Sequence, residues 1–419
     1  MTPRIVITGA GVVSAIGCGQ AETLAALRER RSGIGPVKYL ETSLLDFPVG
    51  EVKLSNAELA ARTGAPETWP RTTLMSILAL QEALSQAGLG SPVKPGMTAP
   101  PEPSWPAATG HLMLVSGTTV GGLDLSERQY PAYSPWHSCG ASTDLAARFL
   151  GFEGATTLST ACSSAANAFI YAANLIRCGL AERVVAGGAE SLSDYHLNGF
   201  NSLMILDREW CRPFDASRAG LNLGEGAAFL VLETEESALE RGVKPLAVLS
   251  GWGNACDAFH QTASSENGEG AFLAMSKALK MAGLQPSQID YVNAHGTGTP
   301  NNDASESTAL RRIFGDAMPP VSSTKPYTGH TTSASGSIEA VFCLLALQNG
   351  FLPPELNWKE ADPSCVTPWQ GIPGQAGDDA PVMARTAQSV MADIDRPSHI
   401  LSNAFGFGGN DSSIILSRV

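Results

Sequence analysis

The feature that most constrains this chain is a repeated alternation of buried-strand patterns and helical patterns. Short apolar runs that end in glycine, such as RIVITGAGVVS at 4–14 and RVVAGGAES at 183–191, predict buried strands. Longer segments with apolar residues at helical spacing, such as TTLMSILALQEALSQAGL at 72–89, predict helices between them. This alternation indicates a layered α/β architecture.

Two helical segments share one pattern, in which small residues come first, an apolar helix follows, and glycine ends it. The first is ACSSAANAFIYAANLIRCGLAERV at 161–184, and the second is HTTSASGSIEAVFCLLALQNGFLP at 330–353. Cys162 lies at the start of the first and His330 at the start of the second. If the chain is duplicated, the two helix N-termini meet at a shared interface. Two unrelated buried helices rich in small residues would give the same pattern.

Composition narrows the classes of protein. The chain has 419 residues, of which 43% are hydrophobic and 16% charged, enough for two or three domain-sized units or one large fused fold. The net charge of −13 argues against nucleic acid as a partner. The eight cysteines are scattered without a C-x-x-C pair, so a zinc site has little support. The opening GAGVVSAIG does not match the dinucleotide-binding fingerprint.

The sequence also indicates the cellular location to expect for the protein. The N-terminus enters a strand pattern directly, and no apolar run reaches the roughly 18 residues of a membrane span. We therefore expect a cytoplasmic protein with reduced thiols and no membrane partner. The segment 91–109 carries six prolines and predicts a surface loop.

Cys162 and His295 are the first candidates for chemistry. A lone cysteine is most often a buried thiol, but a helix N-terminus offers free N–H groups and partial positive charge, which favour the thiolate. His295 follows a buried-strand pattern and precedes a run rich in Gly and Thr. A core histidine or a metal ligand is the alternative, although companion ligands at suitable spacing are absent from the sequence.

Four stretches together resemble the elongating β-ketoacyl-acyl carrier protein synthases, of the KAS I/II type, which are condensing enzymes of fatty acid and polyketide synthesis. They are TACSS at 160–164, NAHGTGTP at 293–300, TKPYTGH at 324–330 and NAFGFGGND at 403–411. With VITGAGVVS, CRPFDASRAGLNLGEGAAFLVLE and DAFHQTA, the resemblance covers nearly the whole chain. It implies a thiolase-like, five-layered α-β-α-β-α fold made of two similar halves.

The resemblance also implies where the halves lie and how the protein assembles. The N-terminal half would span 1–245 and carry the nucleophile, and the C-terminal half would span 246–419 and carry both catalytic histidines. A homodimer is expected, or a heterodimer with a related ketosynthase-like subunit. The partner would be an acyl carrier protein, whose phosphopantetheine arm brings the substrate, so no cofactor and no metal are expected.

The resemblance assigns the central roles. Cys162 would accept the acyl group, and His295 and His330 would stabilise the enolate formed when a malonyl thioester loses CO2. Lys325 would hold a carboxylate or a hydrogen-bond network near this triad. The backbone N–H groups of Cys162 and Phe407 would form a second oxyanion hole, and Phe407 would gate the acyl pocket.

Other residues take supporting roles by the same resemblance. Thr297 and Thr299 would bind the pantetheine arm, and Glu306, in the ND-x-x-E pattern that starts at Asn302, would pair with Lys325 or organise water. Val120 would lie at the bottom of the acyl pocket. The remaining two are aromatic: Phe405, a substrate-binding or core side chain, and His260, part of the loop that faces the gate.

The sequence departs from the family in three places. Thr331 and Thr332 add hydroxyls near the triad or the dimer interface, and the segment 128–150 is shorter than the family's capping segment. The basic patch that docks an acidic carrier is reduced to three candidates, which suggests a dedicated carrier in a specialised polyene or polyketide pathway: Arg62, Arg71 and Arg208.

Two rival functions remain at this point. The first is a subunit that is active only in a heterodimer. The second is a thiolase or an initiating synthase that uses coenzyme A esters. Cys162, His295 and His330 together argue against both. By the resemblance, the chain-length-factor relatives that act as partner subunits lack the nucleophile, thiolases carry a second cysteine, and initiating enzymes carry an asparagine at the place of one histidine.

Overall fold

A computed structural model describes residues 3–90, 112–127, 132, 134–371 and 396–419 of the chain. The proline-rich segment predicted to be a loop lies outside these residues, and so does the part of segment 128–150 formed by 128–131 and 133. Among the described helices, none combines the length and the apolar character that crossing a membrane requires.

The described strands form one mixed sheet. Its strands are β1 Ile5–Ser14, β2 Gly17–Cys18, β3 Leu112–Gly117, β4 Gly154–Leu158, β5 Arg183–Glu190, β6 Gly226–Thr234, β7 Ala247–Cys256, β8 Tyr291–Asn293, β9 Val321–Ser322, β10 His399–Gly406 and β11 Asn410–Ser417. Their order is β4-β3-β5-β6-β1-β7-β11-β10-β8-β9, and β2 pairs with the end of β1.

Apart from β2, the sheet consists of two runs of five strands with one topology. The runs join where β1 pairs antiparallel with β7 at Val6–Val248 and Ile7–Ala247. Outward from that junction, each run has its first, fifth, fourth, second and third strand in chain order. The pairings match as well, with two antiparallel pairs followed by two parallel ones in each run. The hint of duplication in the sequence therefore has a structural counterpart, while the boundary at residues 245 and 246 stays a prediction.

The helices complete the layers. They are α1 Gln20–Arg28, α2 Asn56–Thr63, α3 Arg71–Gln86, α4 Leu123–Ser126, α5 Gly140–Phe149, α6 Ser164–Arg177, α7 Asp194–Ser202, α8 Glu235–Glu240, α9 Glu269–Ala282, α10 Pro300–Phe314, α11 Lys325–Thr328 and α12 Ser335–Asn349. Helices α3 and α5 cover one outer face and α9 with α10 the other, while α6 and α12 pack between the two runs of strands. The predicted α-β-α-β-α fold is confirmed.

The central helices approach each other closely because their N-terminal turns carry small residues. Helix α12 is buried from Ser335 to Leu347, as expected for a helix that is apolar on all sides. A Cβ atom added at Gly336 would lie 3.1 Å from the backbone N of Ala166 in α6. This close contact brings the start of α6 and the start of α12 to one place, as the paired sequence pattern predicted.

The glycines of the first strand serve packing. A Cβ atom on Gly9 would lie 2.2 Å from the carbonyl oxygen of Ala83, and one on Gly11 would lie 1.9 Å from that of Ala79. Both carbonyls belong to α3, which therefore lies directly on β1. The glycine pattern that superficially resembles a nucleotide-binding turn is explained by this helix–sheet contact.

Candidate active site

Cys162 lies on a tight turn between β4 and α6. Ala161, directly before it, has φ of 52°, in the left-handed region that an alanine rarely adopts. The turn is closed by local hydrogen bonds, since the Thr160 amide donates to Ser164 Oγ at 2.9 Å and Ser163 Oγ donates to the Thr160 carbonyl at 2.8 Å. The turn fixes the thiol at the N-terminal end of α6, with a side chain that is only 6% exposed.

His330 contacts Cys162, and His295 packs against His330. His330 Nε2 lies 3.0 Å from Cys162 Sγ, and the His295 ring packs edge-on against the His330 ring with 5.3 Å between centroids. Gly329, before His330, has φ of 73°, and a Cβ there would lie 2.7 Å from the Leu223 carbonyl oxygen. The predicted set of Cys162, His295 and His330 is therefore brought together from two turns and a strand exit far apart in the chain.

The protonation of this set differs from the expectation for the cysteine. Burial raises the pKa of Cys162 to about 12, although Lys325 and the backbone amides of Phe407 and Cys162 oppose the rise. The expected stabilisation of the thiolate by backbone amides is present, but desolvation of the thiol outweighs it. Burial, the Lys325 charge and neighbouring histidines hold the pKa values of His295 and His330 well below the usual range. The site thus combines a neutral thiol with two neutral imidazoles.

Lys325 is buried, and its partner is Glu339. Its ammonium group donates to Glu339 Oε1 at 2.7 Å and also to the His295 carbonyl oxygen. Burial raises the pKa of Glu339 to about 7, against the effect of the Lys325 cation. The expected pairing of Lys325 with Glu306 is wrong, because Glu339 on α12 occupies that place.

Glu306 instead fixes the backbone around His295. Its carboxylate accepts the amide protons of His295 at 2.9 Å and Gly296 at 2.8 Å, and it also accepts from Asn403 Nδ2 at 3.0 Å. Asp303, one turn earlier on α10, accepts the amides of Thr297 and Gly298. Two buried carboxylates at the start of one helix therefore hold the segment that carries His295.

A cavity of about 330 Å³ opens onto the triad. Most of the predicted substrate-contacting side chains line it, including Thr297, Thr299, Phe405 and Phe407. The hydroxyls of Thr297 and Thr299 lie 2.8 Å apart. The cavity gives a substrate a path from the surface to the Cys162 sulfur.

The gate residue predicted from the Gly-rich turn has an aromatic partner. Phe407 stacks on Phe200 of α7, with centroids 5.9 Å apart and planes 23° from parallel. The turn is bonded to the neighbouring loop, because the Gly408 amide donates to the Gln261 carbonyl at 2.8 Å. His260 in that loop is exposed, and its Nδ1 accepts the amides of Thr262 and Ala263. It organises the loop and lies off the cavity wall.

The structure does not place Val120 on this cavity. Its side chain is half-buried, and its amide donates to Glu190 at 3.2 Å. Its part in setting acyl chain length stays a prediction. Glu190 also accepts from the hydroxyls of Ser333 at 2.5 Å and Thr332 at 3.5 Å. Of the two added threonines, Thr331 lies near the triad, because its hydroxyl is 3.3 Å from Ser335 Oγ, which contacts His330 Nδ1 at 2.9 Å.

The three arginines predicted to dock the carrier differ in exposure and in ion pairing. Arg62 is exposed on α2, and Arg208 is exposed but paired with Asp46 at 2.8 Å. Arg71 is buried, and its guanidinium contacts Glu225 with Nη2 at 2.6 Å from Oε1. The assignment of Arg71 to a docking surface is therefore wrong, because it forms an internal ion pair.

Several functional neighbours escaped the sequence analysis. Glu339 contacts Lys325 and Ser335 contacts His330, while Glu190 accepts the amide of Val120. Phe200 stacks on Phe407 from a helix with no motif. The run of hydroxyl residues after His330 is the one signal that could have directed attention to Ser335. Within the described ranges, no group of three or more His, Cys, Asp and Glu side chains could hold a metal ion.

The fold has five layers and two runs of strands with the same topology. In its cavity, Cys162 contacts His330, which packs against His295. Together these features define the thiolase-like class of condensing enzymes. The family model for the β-ketoacyl synthase N-terminal domain matches residues 2–238, and the model for the C-terminal domain matches residues 246–359. The chain belongs to the β-ketoacyl synthase family. It is an acyltransferase-type condensing enzyme of fatty acid or polyketide synthesis.

Several proteins are similar in sequence to this chain over nearly its whole length. Nodulation protein E of Rhizobium meliloti is 33% identical, with 100% of both chains covered. The 3-oxoacyl-[acyl-carrier-protein] synthase 2 of Synechocystis sp. is 32% identical, with 99% of this chain and 98% of the relative covered. Among solved structures, the ishigamide ketosynthase/chain length factor has a TM-score of 0.84 at 30% identity over 100% of both chains. The ketosynthase ApeO in complex with its chain length factor ApeC, from Xenorhabdus doucetiae, has a TM-score of 0.77 at 28% identity over 100% and 98%.

Proposed function

We propose that this protein is an elongating β-ketoacyl-acyl carrier protein synthase in which Cys162 is the acyl acceptor. The observation that carries the proposal is the 3.0 Å contact between His330 Nε2 and Cys162 Sγ in a cavity that His295 also lines. The site provides a nucleophile, a base for its proton and a second uncharged imidazole at the same point.

In the first step the acyl group moves from the carrier to the protein. His330 Nε2 takes the Cys162 proton, and the sulfur attacks the thioester carbonyl carbon. The backbone amides of Cys162 and Phe407, which both donate towards the sulfur, stabilise the oxyanion. The bond to the pantetheine sulfur breaks, and that sulfur leaves with the proton held by His330.

In the second step a malonyl thioester loses CO2 and forms an enolate. Both histidines are uncharged at neutral pH because their pKa values are lowered, so they stabilise the enolate oxygen as neutral N–H donors. The enolate carbon attacks the acyl carbonyl, and the bond to Cys162 breaks. Cys162 leaves as a thiolate and takes a proton from water, and the product is a β-ketoacyl thioester on the carrier.

The phosphopantetheine arm of the carrier protein brings the substrate into the cavity. The hydroxyls of Thr297 and Thr299 line the cavity near His295 and suit the amides of a pantetheine chain, and Phe405 gives the inner wall an apolar surface. No cofactor or metal beyond this arm enters the proposal. Lys325 acts by holding the His295 backbone through its contact with the His295 carbonyl oxygen.

The carrier protein would dock with little help from charge. Of the three arginines considered, Arg62 and Arg208 are exposed, and Asp46 already neutralises Arg208. An acidic carrier therefore meets few unpaired cations, which supports a dedicated carrier of a specialised pathway. Turnover that is equal with a housekeeping carrier and with the carrier of its own pathway would argue against this.

A second copy of the chain would pair along β4. This strand lies at one end of the sheet, where it bonds only β3 among the described residues, and all five of its residues are half-buried. At the opposite end, the edge of β9 is covered, since the Trp369 amide donates to the Val321 carbonyl at 2.6 Å. An open edge next to the nucleophile turn suits a symmetric partner strand. We therefore propose a homodimer, and we separately propose the cytoplasm as its location.

A heterodimer is the second candidate, and it is favoured by the ketosynthase/chain length factor complexes among the similar structures. Native mass spectrometry of the purified protein separates the two. A stable and active homodimer supports the first. Activity that appears only after a related subunit is added supports the second.

The reaction is tested with acyl-carrier and malonyl-carrier thioesters, with product masses measured. We expect a β-ketoacyl-carrier two carbons longer than the acyl group supplied, and none with Cys162→Ala. Cys211→Ala is the matched control, because Cys211 is also buried and its pKa is also raised to about 12, yet it lies off the cavity. Turnover of coenzyme A esters alone, with no carrier-linked product, would overturn the proposal in favour of a thiolase.

A further inference from the structure

A hydroxyl pair lies on the side of His330 that faces away from Cys162. Ser335 Oγ is 2.9 Å from His330 Nδ1, and Thr331 Oγ1 is 3.3 Å from Ser335 Oγ. All three side chains are at most 2% exposed. The row Cys162, His330, Ser335 and Thr331 is therefore a continuous chain of polar contacts within the protein.

The two half-reactions require opposite protonation states of His330 Nε2. To take the proton of Cys162, Nε2 needs a free lone pair, so the ring proton must be on Nδ1. To donate to the enolate oxygen, Nε2 must carry the proton, so Nδ1 must be the acceptor. A backbone amide or a carbonyl at Nδ1 would support one of these tautomers only, whereas a hydroxyl both donates and accepts.

We propose that Ser335 and Thr331 form a reversible hydroxyl pair that lets His330 serve as base in the first half-reaction and as donor in the second. With the proton on Nδ1, Ser335 accepts it and its own O–H points to Thr331. With the proton on Nε2, Thr331 donates to Ser335 and Ser335 donates to Nδ1. Between the first and the second half-reaction, His330 Nδ1 loses a proton to water and Nε2 gains one from water, so atoms and charge balance.

His295 lacks such a partner, which assigns the base role to His330. The His295 Nδ1 is buried and has no hydrogen-bond partner among the described residues. Its ring also makes no contact with the Cys162 sulfur comparable to the 3.0 Å contact of His330. A positioning pair at His330 therefore acts on the acyl-transfer step as well as on condensation.

The test compares three single variants and rests on the proposed function. Ser335→Ala and Thr331→Val each remove one hydroxyl of the pair. Ser337→Ala is the matched control, since Ser337 is buried on the same helix and its hydroxyl donates only to the carbonyls of Ala334 and Gly188. We measure separately the rate of acylation of Cys162 and the rate at which the acyl-enzyme condenses with a malonyl-carrier.

We expect Ser335→Ala to slow both half-reactions about tenfold, because Nδ1 is left buried without its partner. Thr331→Val should slow both by a smaller factor, and Ser337→Ala should stay within about twofold of the parent, as a substitution away from the polar chain does. If Ser335→Ala does not fold, Thr331→Val carries the same test, because it preserves side-chain shape.

A spectroscopic readout separates positioning from simple packing. In 15N-histidine-labelled protein, with the ring signals of His330 assigned through its own variant among the seven histidines, the free enzyme should show the Nδ1–H tautomer and the acyl-enzyme the Nε2–H tautomer. Unchanged rates and ring signals in Ser335→Ala, or an equal loss in Ser337→Ala, would overturn the inference. If the proposed function itself fails, the parent protein forms no acyl-Cys162, an outcome that these variants cannot imitate.

Discussion

The burial of Arg71 makes a sharp prediction about stability. Its guanidinium contacts Glu225 through Nη2 at 2.6 Å and Nε at 2.9 Å, and the two side chains are only 9% and 1% exposed. Arg71→Ala leaves the Glu225 carboxylate buried with two amide donors, those of Val52 and Leu192. Breaking a buried ion pair in this way costs about 3–5 kcal/mol. We therefore expect a large drop in the urea midpoint of unfolding.

Two controls separate this from a docking role. Arg62→Ala removes an exposed side chain, and Arg208→Ala breaks an exposed pair whose side chains are 65% and 79% exposed, so each should change the free energy of unfolding by at most about 1 kcal/mol. The double variant Arg71→Met/Glu225→Met should recover much of the loss, since it removes both buried charges.

The assay pairs urea unfolding, followed by circular dichroism, with KM for the carrier thioester. The structure predicts that Arg71→Ala loses stability while KM of the folded fraction is unchanged. Near-normal stability combined with a raised KM for the carrier would refute the assignment and return Arg71 to the docking surface.

Three further predictions concern the nucleophile and its pocket. Burial raises the pKa of Cys162 to about 12, so the rate of its alkylation by iodoacetamide should rise about tenfold per pH unit from pH 6 to 9. A plateau in this rate near neutral pH would mean that the resting site holds a thiolate. Gly406→Ala places a Cβ 3.0 Å from the Cys162 backbone N and the Thr160 oxygen, so the nucleophile turn must shift and acylation should fall by about tenfold or more; parent-like acylation would reject this reading of the turn. Val120→Phe should shorten the acyl chains accepted, and an unchanged preference in acyl-transfer assays would reject that role.

Sequence reasoning was most successful where local pattern and chemistry coincide. Apolar runs that end in glycine marked β1 and β5, and the motifs around Cys162, His295 and His330 marked residues that do meet in one cavity. These signals are local, because the backbone turn that presents each side chain is encoded by its own neighbours. The same order of strands in both runs also left a trace, as two matching helices rich in small residues.

The errors came from burial and from partners distant in sequence. Nothing near Arg71 shows that its charge lies inside the protein, because Glu225 is 154 positions away. Lys325 was assigned to the wrong carboxylate for a similar reason, since Glu339 and Glu306 are both acidic residues on nearby helices and only packing selects between them. The effect of a helix N-terminus on Cys162 was overestimated because desolvation of the thiol depends on the completed fold.

The central claim is that Cys162 carries the acyl group, and one measurement tests it directly. The protein is mixed with an acyl-carrier thioester in the absence of malonyl-carrier, digested and analysed by mass spectrometry for each of the eight cysteines. The account predicts an acyl adduct on the peptide that contains Cys162 and its loss when malonyl-carrier is added. An adduct on another cysteine, or none on any with a range of carriers and chain lengths, would contradict it.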